Sequence, residues 1–552
     1  MMMALNVCLI SVNVLIRCII QYKNTNIMRI TPTKASDISE ILQKKRNMNT
    51  CFIRLRENIM NFAADFKLRL FLRMKKLTNY PSPFFSVLPI VILVVLLYLT
   101  IGSFGSDALS GASQVCLLIA TAVCAAIGMA GYGIKWKDIE HAIVNNIAGV
   151  SSAIIILLII GALSAVWMLS GVVPTLIYYG VQLIHPNLFL ASCCVICAIV
   201  SVMTGSSWTT IATIGIALMG IGKAQGFEEG WIAGAIISGA YFGDKVSPLS
   251  DTTILASSVT DTPLFTHIRY LMITTVPSIL IALTIFLVAG FNHEAGSTAE
   301  MAEVANGLAN RFNISAWLLT VPVVTGILIA KKVPSIITLF VSAAMAVVFM
   351  LIFQMDNVIE LAGGSSDAQS VFKTTLQTLF TSSSLQAETS QLTELIVTRG
   401  MGGMMNTIWL IICAMCLGGA MTACGMLASI TKVFVRFTRR LTGMVASTVG
   451  SGIFLNLATA DQYISIILVG NMFRDIYKDN GYESRLLSRT TEDAVTVTSV
   501  LVPWNTCGMT QATILGVPTL AYLPYAFFNY ISPMMSILVA ALGYKIFRVK
   551  KD

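Results

Sequence analysis

The sequence predicts an all-α, polytopic membrane protein made of two inverted-topology repeats, with broken helices and re-entrant hairpins. Three observations carry that prediction. Charged residues make up 11% of the 552, and hydrophobic residues 56%. A soluble domain carries about 25% charged residues, so too little polar surface is left to cover a water-facing globule. A soluble enzyme, a nucleic-acid binder and a disordered chain are therefore poor readings. Second, the apolar residues gather in runs, several near the ~20 that a helix needs to cross a bilayer. Third, the shorter runs are interrupted by Gly, Pro and hydroxyl residues at matching positions of two halves, a pattern that marks substrate sites in transporters.

The net charge of +9 is concentrated at one end. Residues 1–80 hold 14 Lys+Arg against 4 Asp+Glu, while the other 472 hold 22 against 23. A basic tail can serve nucleic acid. Here it leads directly into an apolar span, as a cytoplasmic flank does under the positive-inside bias. The expected partner is the lipid bilayer, and no nucleic acid. Residues 1–73 form a basic extension without an obvious signal-peptide cleavage site. Met74-Lys75-Lys76-Leu77 then opens a short basic stub before a span. The expectation is that 1–73 are a mis-called start or a dispensable tail; a natively expressed product beginning at Met1 would refute it.

The elements follow in order. Phe84–Ile101 and Gln114–Tyr132 are long enough to span. Gly149–Leu169 comes next, then the shorter Val172–Leu183, Leu188–Met203, Ile211–Ile221 and Trp231–Tyr241. Leu271–Phe291 completes a first repeat, 74–291. A linker, 292–313, leads into a second repeat, 314–552. Its runs are Trp317–Ala330, Ile336–Phe353, Met404–Ala423, Met426–Phe437, Val445–Leu457, Ile464–Phe473 and, in pieces, Ala512–Ala540. Basic pairs at Lys75 and Lys76, Lys135 and Lys137, and Lys331 and Lys332 belong inside, as do Arg439, Arg440 and the Lys545–Lys551 tail. Both termini are then cytoplasmic. The linker 292–313 and the acidic insertion 355–400 belong outside. The first repeat enters from the cytoplasm and the second from the opposite side, which is an inverted repeat. Cysteines placed at Lys135 and Ser383 that label from the same side of the membrane would refute this.

Twelve Cys and four His suggest no metal site. Cys194 and Cys197 have a redox or metal spacing, but no second pair or His cluster joins them, so they read as small core residues. No G-x-x-x-x-G-K-[ST] phosphate loop occurs, which argues against a primary pump. Without a catalytic Cys/His cluster, an enzyme is a poor reading.

The halves superpose on two polar strings. Thr204-Gly205-Ser206-Ser207-Trp208 matches Thr459-Ala460-Asp461-Gln462-Tyr463 at an offset of 255. Ser247-Pro248-Leu249-Ser250-Asp251-Thr252 matches Val502-Pro503-Trp504-Asn505-Thr506-Cys507 at the same offset. A rival alignment pairs Gly243-Asp244 with Glu492-Asp493 at 249. The residues alone leave both open.

Pro248 lacks an N–H, so the carbonyl of Asp244, four residues back, loses its helical donor. A broken helix at membrane depth persists only where its freed groups line a cavity or meet a ligand. Carbonyls, hydroxyls and carboxylates are hard oxygen ligands, suited to an alkali cation. An ionised Asp there costs about 3 kcal/mol on insertion scales, so it should be paired or functional. Burial favours the protonated carboxyl, and a bound cation favours the carboxylate. One group can therefore hold H+ or Na+ in competition. Asp251 is the first candidate and Asp461, on the other repeat, the second. Asp244 is a third, with Lys245 as charge partner. Thr252, Thr253, Ser206 and Ser207 would complete the oxygen shell, with Thr204 and Ser247 beside them. Glu492, Asp493, Asn505 and Thr506 would serve from the second break. Blander readings stand beside these. Lys245 can simply neutralise Asp244, the Thr204–Thr210 hydroxyls can back-bond within a helix, and Glu492 or Asp493 can pair with Arg489.

At these strings the chain resembles the NhaC-type Na+/H+ antiporter family, within the ion transporter superfamily of inverted-repeat carriers. The residues that carry the resemblance are Gly243-Asp244-Lys245-Val246-Ser247-Pro248-Leu249-Ser250-Asp251-Thr252-Thr253, Thr204–Trp208, and Glu492-Asp493 with Pro503-Trp504-Asn505-Thr506-Cys507-Gly508. It extends from about residue 80 to the end. It implies cofactor-free secondary exchange of Na+ for H+ in the bacterial inner membrane. Some relatives instead exchange carboxylates, such as malate for lactate, with coupled ions. An organic-anion exchanger or amino-acid carrier on the same scaffold is therefore the alternative, with Lys245 or Arg489 as its fixed cation. An ion channel is a third class. A homo-oligomer is compatible with all of them. Val500 stands where the family has Pro in a Ser-Pro-Leu stretch. Pro503 is then the only helix breaker there, and the second break is expected to be milder than the first.

Overall fold

The computed structural model describes residues 81–549, apart from 105–110, 293–297, 332, 388, 436–437 and 439. The reading of residues 1–73 lies outside the described residues. Every regular element named here is a helix. The first half comprises α1 (Pro83–Phe104), α2 (Ala112–Ala126), α3 (Trp136–Gly149), α4 (Ser151–Leu169), α5 (Val172–Leu183), α6 (Pro186–Thr204), α7 (Ser207–Thr210), α8 (Ile216–Ala224), α9 (Glu229–Val246), α10 (Asp251–Val259) and α11 (Leu264–Phe291). The middle holds α12 (Thr298–Arg311), α13 (Thr320–Ala330), α14 (Ser335–Phe353), α15 (Met355–Leu361), α16 (Ala368–Phe380) and α17 (Ser390–Ile396). The last part comprises α18 (Met405–Ala423), α19 (Met426–Val435), α20 (Leu441–Thr459), α21 (Gln462–Asp479), α22 (Ser484–Thr491), α23 (Thr506–Leu515), α24 (Thr519–Tyr522) and α25 (Phe527–Ala541).

Eight helical stretches among the described residues are long and apolar enough to cross a membrane. Two further bent pairs raise the count to ten. Ala302–Arg311 turns by 95° into Ala316–Ala330, and Thr519–Tyr525 by 55° into Phe527–Ala541. The chain is a multi-pass, all-helical membrane protein. The insertion 355–400 carries α15 to α17 and a single bridge between Ser383 and Thr398.

Two apolar cores hold the bundle. One gathers α4, α5, α6, α8, α9, α11 and α14, and also takes in Val497, Val500, Cys507, Tyr522 and Phe528. The other joins α1, α2 and Ile139 of α3 to α18, α19, α20 and α21. Each core therefore draws on both halves of the sequence. The α6–α9 crossing is the tightest. A Cβ on Gly239 would stand 2.1 Å from the Cys194 carbonyl oxygen, and one on Gly243 would stand 2.4 Å from the Ser201 Cβ. Small residues four apart let two membrane helices touch backbone to backbone. That contact presses the end of α9 against the tip of α6, where the polar strings lie.

Candidate functional site

Two helix tips have the same local structure. α6 ends at Gly205, with φ 67° and ψ 22°, and Ser206 caps α7 by accepting the Thr209 N–H. α20 ends at Ala460, with φ 57° and ψ 17°, and Asp461 caps α21 by accepting the Ile464 N–H. A left-handed residue stops each helix, and the short polar side chain after it starts the next. The hydroxyls of Thr204 and Thr459 close the two turns on the carbonyls of Ser206 and Asp461, at 3.1 and 2.9 Å.

Tertiary contacts repeat at the same spacing. The Ser201 hydroxyl donates to the Ala240 carbonyl at 2.6 Å, and 255 residues on the Asn456 amide donates to Val495 at 2.7 Å. The carbonyls of Val202 and its counterpart Leu457 are both capped as well, by Ser247 and by the Trp504 indole two residues beyond the counterpart of Ser247, each at 2.8 Å. Ser207 binds Asp244 at 2.7 Å, and Ser499 binds Gln462 at 3.2 Å. The offset of 255 is thus a property of the fold, and the rival 249 is set aside.

At the first crossing Asp244 is buried near the end of α9. Its Oδ2 accepts the Ser207 N–H at 3.2 Å and the Ser207 hydroxyl at 2.7 Å, and its Oδ1 accepts the Ser250 hydroxyl at 2.6 Å. The carbonyl freed by Pro248 is where the sequence places it. The Thr253 hydroxyl donates to the carbonyls of Asp244 and Lys245, at 3.2 and 3.0 Å. Ser250, the cap of α10, lies 3.0 Å from the Thr252 hydroxyl. Thr252 in turn donates to Glu492 Oε1 at 3.0 Å. Glu492 is buried, and its Oε2 has no hydrogen-bond partner among the described residues.

The second break begins at Glu492. α22 passes into a π-helical stretch, Glu492–Thr496, then a 3-10 turn, Ser499–Leu501, and a loop to the Asn505 cap of α23. This corrects the expectation of a milder break: the irregular stretch is longer than the first, which runs only from Ser247 to Ser250. Side chains do here what proline does not. Asn456, Asn529 and Tyr522 donate to the carbonyls of Val495, Val497 and Val500, at 2.7, 2.8 and 2.7 Å. An unwound backbone so satisfied needs no second proline.

The charges pair differently from the sequence expectation. Lys245 does not neutralise Asp244. Its ammonium forms an ion pair with Asp493 of the other half, and both side chains are buried. The Ser532 hydroxyl accepts from Lys245 at 2.8 Å and donates to Asp493 Oδ1 at 3.0 Å, and Thr274 donates to the same oxygen at 3.2 Å. Arg489 lies 3.9 Å from Asp493 Oδ2 and stacks over Tyr270 at 4.6 Å. The physical reason is reach: the long α9 lysine extends past its neighbour into the π-helical stretch, while Asp244 is taken by tip hydroxyls.

Asp251 lies outside this enclosure. Its side chain is exposed, at the first turn of α10, while Asp244 seven residues earlier is enclosed. The break turns the chain so that the cap side chain Ser250 faces inward. Asp461 is buried, but it is engaged as a helix cap and as acceptor of the Thr506 hydroxyl at 3.3 Å. Asn505 accepts the Cys507 N–H and donates to the Asn456 carbonyl. Thr204, Ser206 and Ser247 serve the turns themselves. The structure thus joins Asp244, Ser207, Thr252 and Glu492 with Lys245 and Asp493 at one cross-half centre. Asp461 and Thr506 form a second. Ser250, Thr274 and Ser532 were missed as site residues. Ser250 lay inside the quoted string, Thr274 is one of two adjacent threonines in an apolar span, and Ser532 is a lone hydroxyl in another.

The profile of the Na+/H+ antiporter family matches residues 239–544, from the end of α9 through both breaks. The chain is 36% identical to the Na+/H+ antiporter NhaC of Bacillus subtilis, over 74% of this chain and 88% of that one. It is 37% identical to the Na+/H+ antiporter NhaC of Alkalihalophilus pseudofirmus, over 78% and 89%. A malate-2H+/Na+-lactate antiporter of Bacillus subtilis is 33% identical over 80% and 91%. With a profile spanning both breaks and relatives of this identity along most of its length, the chain belongs to the Na+/H+ antiporter family.

Proposed function

We propose that this chain exchanges Na+ for H+ across a bacterial cytoplasmic membrane, with Asp244 and Glu492 as the carboxylates that the two ions share. The single observation that carries this is the enclosure of both beside the helix breaks, one from each half, joined through Ser250 and Thr252. Ionised and unpaired, each costs about 3 kcal/mol on insertion scales. A proton or a small cation removes that cost. Glu492 Oε2 has no hydrogen-bond partner among the described residues and can meet a cation. Asp251 serves as an outer ligand at the mouth. Lys245 and Asp493 tie the halves together. The two crossings, placed in inverted repeats, let one site be reached from either side.

The sign of the pH dependence follows. As pH falls, protons occupy the shared carboxylates and Na+ binds more weakly, roughly tenfold per unit below their pKa for one shared proton. Above that pKa the affinity levels off. Na+ binding to the purified chain across a pH series checks this, and a flat affinity would reject shared carboxylates. A second reading, ion-coupled carboxylate exchange, is favoured by Arg489. Its guanidinium is buried and lies 3.9 Å from Asp493, and none of its three nitrogens has a hydrogen-bond partner among the described residues. Proteoliposomes decide between the two: dissipation of a pH gradient by Na+ alone supports the first, and a requirement for malate or lactate supports the second.

A further inference from the structure

We infer that Ser250 and Thr252 form a hydroxyl relay through which Asp244 and Glu492 hold one proton between them; the inference rests on the Na+/H+ reading of this site. The argument is a count of hydrogens. Three contacts link the carboxylates: Asp244 Oδ1 to Ser250 at 2.6 Å, Ser250 to Thr252 at 3.0 Å, and Thr252 to Glu492 Oε1 at 3.0 Å. Each needs one hydrogen. A hydroxyl donates only one, so Ser250 and Thr252 supply two hydrogens for three contacts. With both carboxylates ionised, one short contact between buried oxygens holds no hydrogen, which is costly in a medium of low dielectric.

One added proton completes the chain, and it can sit at either end. Protonated Asp244 donates to Ser250, Ser250 to Thr252, and Thr252 to Glu492. Alternatively, protonated Glu492 donates to Thr252, Thr252 to Ser250, and Ser250 to Asp244. The two forms interconvert when each O–H bond breaks as the next one forms. The donor carboxyl gives its proton to the first hydroxyl, that hydroxyl passes on its own, and the far carboxylate gains one. Charge and atoms balance, and no other reactant enters. A second proton has no place in the row, because Asp244 Oδ2 is filled by two donors from Ser207 and Glu492 Oε2 has no hydrogen-bond partner among the described residues.

The other charged or titratable groups near the row are Asp251, Tyr241 and Tyr463 on the Asp244 side and Lys245, Arg489 and Asp493 on the Glu492 side. None of these side chains hydrogen-bonds to the four. Lys245 is held by Asp493 and Ser532. The relay thus carries a proton from one half of the molecule to the other without moving either carboxylate.

The test uses the full chain in proteoliposomes. Thr252→Val keeps the shape and removes the hydroxyl. It should lower Na+-driven proton flux at least tenfold and replace the one-proton pH profile by two separate titrations. Thr252→Ser should restore both. A valine variant with wild-type flux and a wild-type profile overturns the relay while leaving the exchange reading intact; a wild-type chain without Na+-driven proton flux overturns that reading instead. A second measurement needs no variant. Infrared difference spectra of the wild-type chain on Na+ addition should lose one protonated-carboxyl band, and the loss of none or of two overturns the count.

Discussion

The two crossings share a backbone plan and place their carboxylates oppositely. In the first, the tip offers Ser206 and Ser207, and the acid, Asp244, comes from the helix before the break. In the second, the acid is the tip cap itself, Asp461, and the residue facing it, Thr506, comes from the helix after the break. At the position equivalent to Asp244 stands Ser499, bound to Gln462. Each crossing is thus closed by one acidic side chain bridging tip and break. The first is wired across the halves through Thr252 to Glu492. The second break also reaches across, through Asp493 to Lys245 and Thr274, while its Asp461–Thr506 contact stays within one half. One backbone plan thus carries unequal side-chain chemistry at its two crossings.

The contrast is broken most directly at the two acids. Asp244→Asn cannot titrate and should abolish Na+-driven proton flux in proteoliposomes. Asp461→Asn keeps a good cap and an acceptor for Thr506. It should lower flux by less than about tenfold, the scale of a ~1 kcal/mol cap change. Equal losses would make the crossings functionally equivalent. Next comes the tie between halves. Lys245→Met leaves a buried Asp493 with only Arg489 at 3.9 Å as its charge partner and should cost up to about 3–5 kcal/mol, read as a lower melting temperature in detergent. Adding Asp493→Asn should recover part of it, and a single variant that melts with the wild type would remove the tie. The smallest effect lies at the tips. Gly205→Ala forces a Cβ into the left-handed region, costing roughly 1–2 kcal/mol, and sets it 2.7 Å from the Leu249 backbone. Ala460→Gly relieves the same backbone and should change stability by less than about 1 kcal/mol, so thermal melts should separate the pair.

Much of this was legible in the residues. Apolar runs gave the helices because a bilayer demands them, and Gly205 with Pro248 located the first tip and break. The offset of 255 came from two strings and is met again in hydrogen bonds between helices. Burial was not legible. Asp244 and Asp251 lie in one polar string, and only the turn between them decides which faces inward. The Lys245–Asp493 pair spans 248 residues, beyond any local pattern. The length of the second break was hidden for a similar reason, since Asn456, Asn529 and Tyr522 supply its donors from elsewhere in the chain.

The mixed make-up of the two cores sets a timetable for biosynthesis. α2 meets its partner α18 at contacts such as Gln114 to Asn406, 292 residues apart. At ~5–20 residues per second of synthesis, the early helices wait roughly 15–60 s for the chain that covers them. Until then the faces of α2 that α18 will cover meet lipid or the insertion machinery. The assembled transporter is therefore a late product, closed when its last third leaves the ribosome.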